Sequence, residues 1–502
     1  MKSVDAADYT IAVIGAGAMG QGIAQVAAQG GIKTLLFDAK PGGADAGREQ
    51  IIKRIERLVE KERIGADDAK AASDRLGSVS DISALAGCDA VIEAVFENLE
   101  VKSDVFKQVE AVVSKDCIIA SNTSSIPISS IASACEKRDR VAGMHFFNPV
   151  PLMKLVEVIR GADTSDETVA ALTELGKRMT RVPVTVADMP GFLVNMGGRA
   201  FSSEAFRIMH EGVATPAEID AIMRDCRHFR MGPFELGDLT GIDVNFPASL
   251  IIYNGYMQDP RIKTAPVHEA MFNSGRWGRK TSGGWYDYKD GKVHNPPSPD
   301  YETDASPAGH VSLAEPSEAL TDFCKSLGIE VREEDDGEAP ILAAPVGDDA
   351  THTSLMTDAD PKRLVCVDLS CDTSKRICIM TAPGADPAAR GAVAAAMIKA
   401  GRKVTAIKDS PGFVAQRMVA MIANLGCYMA EVNLATPADI DLAMKLGLNY
   451  PLGPLEMVED LGSENTLEIL ERAQELTGED RYRPSMWLRR RAILDLPIHT
   501  PA

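Results

Sequence analysis

Over the first 188 residues, short apolar runs alternate with longer stretches in which apolar positions recur every three or four residues. The runs at 10–14, 33–37, 90–95, 117–120, 141–144, 155–159 and 182–187 predict buried strands. The stretches at 21–29, 51–62 and 167–179 predict helices. Strands alternating with helices imply a mostly parallel sheet covered on both faces. Beyond Pro190-Gly191 the pattern turns to helical periodicity with few strand signals, as far as Gly275. Residues 289–340 are rich in Pro, Asp, Glu and Ser, and predict a linker with at most one short helix, near 316–327. Runs at 364–369 and 376–381 predict two more strands ahead of a last helical stretch.

Part of this pattern occurs twice. Asp188-Met189-Pro190-Gly191-Phe192 is echoed by Asp409-Ser410-Pro411-Gly412-Phe413. Thr215-Pro216-Ala217-Glu218-Ile219-Asp220 is echoed by Thr436-Pro437-Ala438-Asp439-Ile440-Asp441, and Gly232-Pro233-Phe234-Glu235 by Gly453-Pro454-Leu455-Glu456. All three pairs stand 221 residues apart, so the helical segment is duplicated. The expected division is an α/β domain over 1–188, a helical domain over 189–288, a linker over 289–340, a degenerate α/β segment over 341–408 and a second helical copy over 409–502.

A chain of 502 residues is too long for one ordinary core. Its 53 Lys and Arg against 72 Asp and Glu give a formal charge of −19, which argues against a broad nucleic-acid face or a polybasic membrane anchor. No apolar run is long enough for a membrane span, and the opening residues lack a signal-peptide layout. Nine cysteines, with no CxxC pair, read as reduced thiols of a cytoplasmic protein, and no metal site is expected.

The first apolar run ends in Gly15-Ala16-Gly17-Ala18-Met19-Gly20, a helix pattern follows, and the second run ends at Asp38. This is the order of a dinucleotide-binding βαβ unit in a Rossmann-type, doubly wound sheet. Gly15 permits the tight turn, Gly17 lets a diphosphate approach the backbone, and Gly20 lets helix and strand pack closely. Asp38 is placed to accept from a ribose 2′-hydroxyl and would repel a 2′-phosphate, so the expected cofactor is NAD.

Four further segments carry candidate chemistry. Ser121-Asn122-Thr123-Ser124-Ser125 and Met144-His145-Phe146-Phe147-Asn148-Pro149 each follow or end a predicted strand. Glu157 sits in the middle of an apolar strand, a costly place for an unpaired acid. Asn195 comes just after the Pro-Gly turn. A buried Glu beside a His fixes the imidazole tautomer and leaves the other nitrogen to act as a base. Singly, each has a plainer reading: a satisfied core histidine, an ion-pair partner, a cap or a turn residue.

Together with Lys154-Leu155-Val156-Glu157, residues 188–195 and Met231-Gly232-Pro233-Phe234-Glu235, these segments resemble the (S)-3-hydroxyacyl-CoA dehydrogenases, in order from residue 10 to about 288. The resemblance implies reversible, NAD-dependent oxidation of an (S)-3-hydroxyacyl-CoA to the 3-ketoacyl-CoA, as in fatty-acid or aromatic-acid breakdown or short-chain 3-hydroxybutyryl-CoA metabolism. It implies His145 as base, Glu157 as its orienting partner, and Ser124 and Asn195 as holders of the substrate 3-oxygen. For the cofactor it implies Gly15, Gly17, Met19, Gly20, Asp38, Glu97, Lys102, Ser124 and Asn148. For CoA it implies Arg54, Lys61 and Ser124. Lys53, Arg57 and Lys61 fall four apart, which makes one helix face cationic, although Glu49, Glu56 and Glu60 intervene. The implied partner is an acyl-CoA, with neither nucleic acid nor membrane, and the two helical copies are expected to pair within one chain, with room for a further homo-oligomer.

The chain also departs from that family. Met196-Gly197-Gly198 stands where the family usually has Arg after Asn. At the 221 offset, Cys366, Cys378 and Gln416 stand for His145, Glu157 and Asn195, so the second half reads as non-catalytic. Two rivals are an L-gulonate-type hydroxy-acid dehydrogenase, which would not need the cationic row, and a catalytically dead nucleotide sensor, which would not oxidise NADH.

Overall fold

The computed structural model describes residues 1–501. Two compact units form, and each draws on both halves of the sequence: Met1–Met196 with Val432–Leu448, and Gly197–Glu431 with the residues from Asn449 onward.

The first unit is built on an eight-stranded sheet. Its strands are β1 (Thr10–Ile14), β2 (Lys33–Phe37), β3 (Leu76–Val79), β4 (Ala90–Glu93), β5 (Ile118–Ser121), β6 (Val141–Phe146), β7 (Leu155–Arg160) and β8 (Val182–Ala187), in the order β3-β2-β1-β4-β5-β6-β7-β8. All neighbours are parallel except β6 and β7. Chain order reverses between β1 and β4, and at such a switch point the loops after the strands leave a crevice for ligand. Helix α1 (Ala18–Gln29) follows the glycine loop, and α2 (Gly43–Glu60) follows β2. α2 starts eight residues earlier than its apolar period predicts. Its first two turns are small and polar but bury Ala44 and Gly47 against the sheet, so packing rather than pattern sets that end. β3 was not predicted: Leu76-Gly77-Ser78-Val79 buries only Leu76 fully. The helix Pro437–Leu448, from the second repeat, lies on β7 and β8, and Ala187 N–H donates to Leu434 O at 2.8 Å.

The second unit holds helices Arg199–His210, Pro216–Asp225, Pro233–Thr240, Ile242–Gly255 and Pro266–Asn273, together with Ala415–Glu431, Pro454–Leu461, Ser463–Thr477 and Met486–Ile493. The repeated motifs are helix starts. Pro233 and Pro454 each open a helix, with Glu235 and Glu456 accepting from the Gly232 and Gly453 N–H groups. Asp188 accepts from Ile128 N–H and Ser129 N–H, and its repeat Asp409 accepts from Ala350 N–H and Thr351 N–H.

A six-stranded sheet completes this unit, in the order Glu330–Arg332, His310–Leu313, Ile341–Ala343, Leu364–Val367, Arg376–Met380, Lys403–Ile407. The linker reading of 289–340 is thereby corrected. Residues 310–332 form a strand, the helix Glu318–Leu327 and a second strand, so the second α/β segment begins well before residue 341. The acidic, proline-rich composition hides strands of only three and four residues whose buried members are few. Five of the six strands overlap the positions 221 residues beyond β4, β5, β6, β7 and β8, so the α/β part is duplicated too. Glu330–Arg332 takes the edge beside the β4 counterpart, where the first sheet has β1.

Candidate active site

β6 and β7 pair in a register that sets His145 opposite Glu157. Residues opposed in an antiparallel pair project from the same face, so the register alone brings the two side chains together. His145 Nδ1 lies 2.6 Å from Glu157 Oε2, with Glu157 fully buried and His145 6% exposed. The other carboxylate oxygen, Oε1, accepts from Leu193 N–H at 3.1 Å and Val194 N–H at 2.8 Å. Those donors sit just past a turn in which Gly191 and Phe192 both take positive φ, at 76° and 48°. With Nδ1–H donated to Glu157, Nε2 is left as the acceptor nitrogen, which is the tautomer a general base needs. The Phe147 and Phe192 rings lie 4.6 and 5.9 Å from the imidazole centre and keep it dry. Asn195, half-buried, follows Val194 in the one-turn helix Val194–Gly197.

A second cluster follows β4 and β5. Glu97 Oε1 accepts from the Thr123 hydroxyl at 2.7 Å, Ser124 N–H at 2.9 Å and Ser125 N–H at 3.1 Å, and lies 3.3 Å from the Ser124 hydroxyl. Burial alone would push the Glu97 carboxyl up. The Thr123 hydroxyl, the Lys102 ammonium and the Ser124 and Ser125 donors outweigh it and hold the group below the usual carboxylate range. Lys102 is 1% exposed, with its ammonium 2.8 Å from Glu93 and 3.2 Å from Glu97. It therefore fixes Glu97 from beneath. Sequence reasoning missed Glu93, which also takes the Ser121 hydroxyl at 2.7 Å. Its signal was the one that marked Glu157, a carboxylate in an apolar strand. Asn122 was missed as well; its Oδ1 accepts from Phe146 N–H at 2.8 Å and ties the end of β6 to the Ser124 loop.

Gly15 has φ +103°, and a Cβ there would sit 2.6 Å from Ala94 O, so only glycine fits. A Cβ on Gly17, by contrast, meets nothing within 4 Å. The N-terminus of α1 behind it has no acidic residue in its first turn. That open space before unpaired N–H groups fits a diphosphate. Met19 packs half-buried against the core. Asp38 Oδ2 accepts from Ala16 N–H at 2.7 Å, and Oδ1 from Lys40 N–H at 2.8 Å, so this acid braces the loop at the tip of β2. Asn148 is exposed just beyond β6.

Arg54, Arg57 and Lys61 line a cavity of about 460 Å³ with Gln25, Leu152 and Arg181. Arg54 is anchored to Gln21 at 2.8 Å. Lys53 of the cationic row is exposed and not part of this wall.

In the second half the corresponding strands pair Cys366 with Met380, so the two cysteines at the His and Glu positions are not opposed. Gln416 is buried and bonded to Gly347 N–H at 2.9 Å, Pro345 O at 3.1 Å and Asp368 at 3.1 Å. The longer side chain at the Asn195 position thus closes on its own loop.

The family described as "3-hydroxyacyl-CoA dehydrogenase, NAD binding domain" matches residues 10–189. The one described as "3-hydroxyacyl-CoA dehydrogenase, C-terminal domain" matches residues 191–288 and again 412–495. The chain is 37% identical to a 3-hydroxyadipyl-CoA dehydrogenase of Escherichia coli, over 97% of this chain and 98% of that one. It is 41% identical to a probable 3-hydroxybutyryl-CoA dehydrogenase of Deinococcus radiodurans, over 55% of this chain and 99% of the relative. A crystal structure of an Escherichia coli 3-hydroxybutyryl-CoA dehydrogenase superposes with TM-score 0.86 at 36% identity, covering 97% of this chain and 98% of that one.

Proposed function

The chain belongs to the 3-hydroxyacyl-CoA dehydrogenase family and catalyses NAD-dependent oxidation of 3-hydroxyacyl-CoA, and from that premise we propose which residues do the work. His145 Nε2 takes the proton of the substrate 3-hydroxyl while Glu157 stabilises the imidazolium that forms. Asn195 and the Ser124 hydroxyl hold the 3-oxygen and meet the charge that develops on it. NAD supplies the acceptor for the hydride that leaves C3. Gly15, Gly17, Met19, Gly20 and Asp38 cradle its adenosine end. Asn148, Ser124 and Glu97, with Lys102 beneath, would hold its nicotinamide end. Arg54 and Lys61, joined by Arg57 and Arg181 on the wall of the 460 Å³ cavity, receive the phosphates of CoA.

The reading assigns catalysis to the first α/β and helical segments, with their division near residue 188. It pairs the helical copies within the chain and places the protein in the cytoplasm. Among the described residues no helix is long and apolar enough to cross a membrane, and all nine cysteines are free thiols.

The 2.6 Å contact between two buried ionisable groups carries the proposal. The unaltered chain should oxidise NADH with acetoacetyl-CoA, followed by absorbance at the nicotinamide band. His145→Ala should lower kcat by about 10²-fold or more while NADH affinity stays within a factor of about two. Full turnover in that variant would remove His145 from the mechanism.

A further inference from the structure

The Pro437–Leu448 helix belongs to the repeat that carries no catalytic pair, yet its C-terminal end reaches the groups that hold Glu157. Gly447 lies in its last turn, and a Cβ built there would sit 3.0 and 3.1 Å from the two Val194 methyl carbons and 3.2 Å from a Leu155 methyl. Val194 is the residue whose N–H donates to Glu157 Oε1 at 2.8 Å, and Asn195 follows it directly. Leu155 opens β7, the strand that carries Glu157. The line of contact therefore runs from Gly447 through the Val194 side chain to its N–H, then to Glu157 and His145.

The repeat supplies an internal comparison. The residue 221 positions before Gly447 is Cys226, and the counterparts of Val194 and Leu155 are Ala415 and Arg376. Cys226 Sγ lies 3.5 Å from Arg376 O, so the same helix end meets the same strand position in the other half. At the catalytic end the side-chain volume sits on Val194 and is missing at 447. At the other end the larger residue, Cys226, is on the helix, and the counterpart of Val194 is Ala415.

We propose that Gly447 is a positioning residue for the dehydrogenase reaction. By having no side chain it lets Val194 close on Glu157, so that the second repeat completes the base of the first. This rests on the catalytic roles proposed above for His145 and Glu157.

Gly447→Leu should lower kcat at least tenfold, with NADH affinity by fluorescence titration within twofold of the parent. Gly447→Ala should do the same to a smaller degree, although alanine is the better helix former and should not weaken the helix itself. Adding Val194→Ala should restore most of the loss, because the displaced volume is removed. A folded Gly447→Leu chain with parental kcat, or a loss that Val194→Ala leaves untouched, overturns the proposal. Should Gly447→Leu not fold, the Ala variant and its double variant carry the same two outcomes. An inactive parent would defeat the catalytic reading instead. The positioning claim is then read from the Nδ1–H proton resonance of His145 in histidine-labelled protein. It should move upfield in Gly447→Ala and return in the double variant; an unmoved resonance overturns it.

Discussion

Asp38 has two tasks that a single substitution separates. Its oxygens hold Ala16 N–H and Lys40 N–H, and the same carboxylate is proposed to read the cofactor ribose. In Asp38→Ala the like-charge repulsion against a 2′-phosphate is gone, so preference for NADH over NADPH should fall about tenfold, or about 1.4 kcal/mol. The loop also loses its brace, so NADH affinity should drop in absolute terms. Ratios of kcat/KM for the two nucleotides check this, and an unchanged ratio means the ribose is read elsewhere. Individual residues were legible where chemistry and pattern conflicted. Glu157 in Val156-Glu157-Val158 could not sit unpaired, and a partner had to exist. Glu93 carried the same signal at the end of its strand. Lys102 shows the limit: the sequence puts it just past β4, in what proves the first turn of the helix Leu99–Val112, but cannot tell a cation that faces ligand from one buried under Glu97.

Elements were legible where side-chain period and packing agree. α1 and β1 come straight from the glycine loop and the apolar run before it, whereas strands 310–313 and 330–332 are too short to show a period. The helices of the two copies differ at their starts. Ala415–Glu431 is continuous, whereas its counterpart breaks into Val194–Gly197 and Arg199–His210 around Gly197-Gly198. Gly197 ends the first piece and Gly198 caps the second, so neither carries the cost of about 1 kcal/mol that a helix-interior glycine has against alanine.

The first helical copy also buries a histidine. His268, in Pro266–Asn273, is 1% exposed between the Phe206 and Phe246 rings. Burial, and then the Arg199 charge, pushes its imidazolium down to about 4. The unfolded ring takes up a proton near pH 6.5, which the folded ring refuses until about pH 4. Its contribution is therefore present above pH 6.5 and lost as pH falls toward 4, by up to about 3 kcal/mol. The urea midpoint of His268→Gln should fall less steeply than the parent's over that range. Parallel slopes would assign the pH dependence to other groups.

In the second unit, helices Arg199–His210 and Ala415–Glu431 pack on each other around one buried ion cluster. Arg417 Nη2 and Nε lie 2.8 and 3.0 Å from Glu204 Oε1, and Nη1 reaches both Glu211 and Ser410. Tyr482 donates to Glu204 at 2.9 Å, and Arg481 stands 3.1 Å from it. The cluster occurs once, because the counterpart of Arg417 is Met196 and that of Glu204 is Leu425. Removing one member of a buried pair strands the other, at about 3 kcal/mol or more. Arg417→Met should thus lower the urea midpoint well beyond what an exposed arginine would. An unchanged midpoint would deny the cluster any part in holding the copies together. With one catalytic pair per chain, calorimetric titration should give one NADH per 502 residues; two would defeat the reading of the second half as non-catalytic. At this scale the sequence displayed the helical duplication through its capping motifs. Of the duplicated strands it showed Leu364–Val367 and Arg376–Met380 as apolar runs and hid His310–Leu313, Ile341–Ala343 and Lys403–Ile407, whose identity lies in burial and not in recurring residues.

The wall behind Glu157 is made in two instalments separated by the whole of residues 197–431. During synthesis the strands carrying His145 and Glu157 leave the ribosome long before the helix that covers β7 and β8. The first unit therefore cannot finish folding domain by domain as it emerges. It must wait, with that face of its sheet uncovered, for residues 437–448. A chain that stalls between residues 200 and 430 holds every proposed catalytic residue and still lacks part of its support. Nascent chains of this protein should accordingly need protection from aggregation late in translation, when the first sheet is already complete.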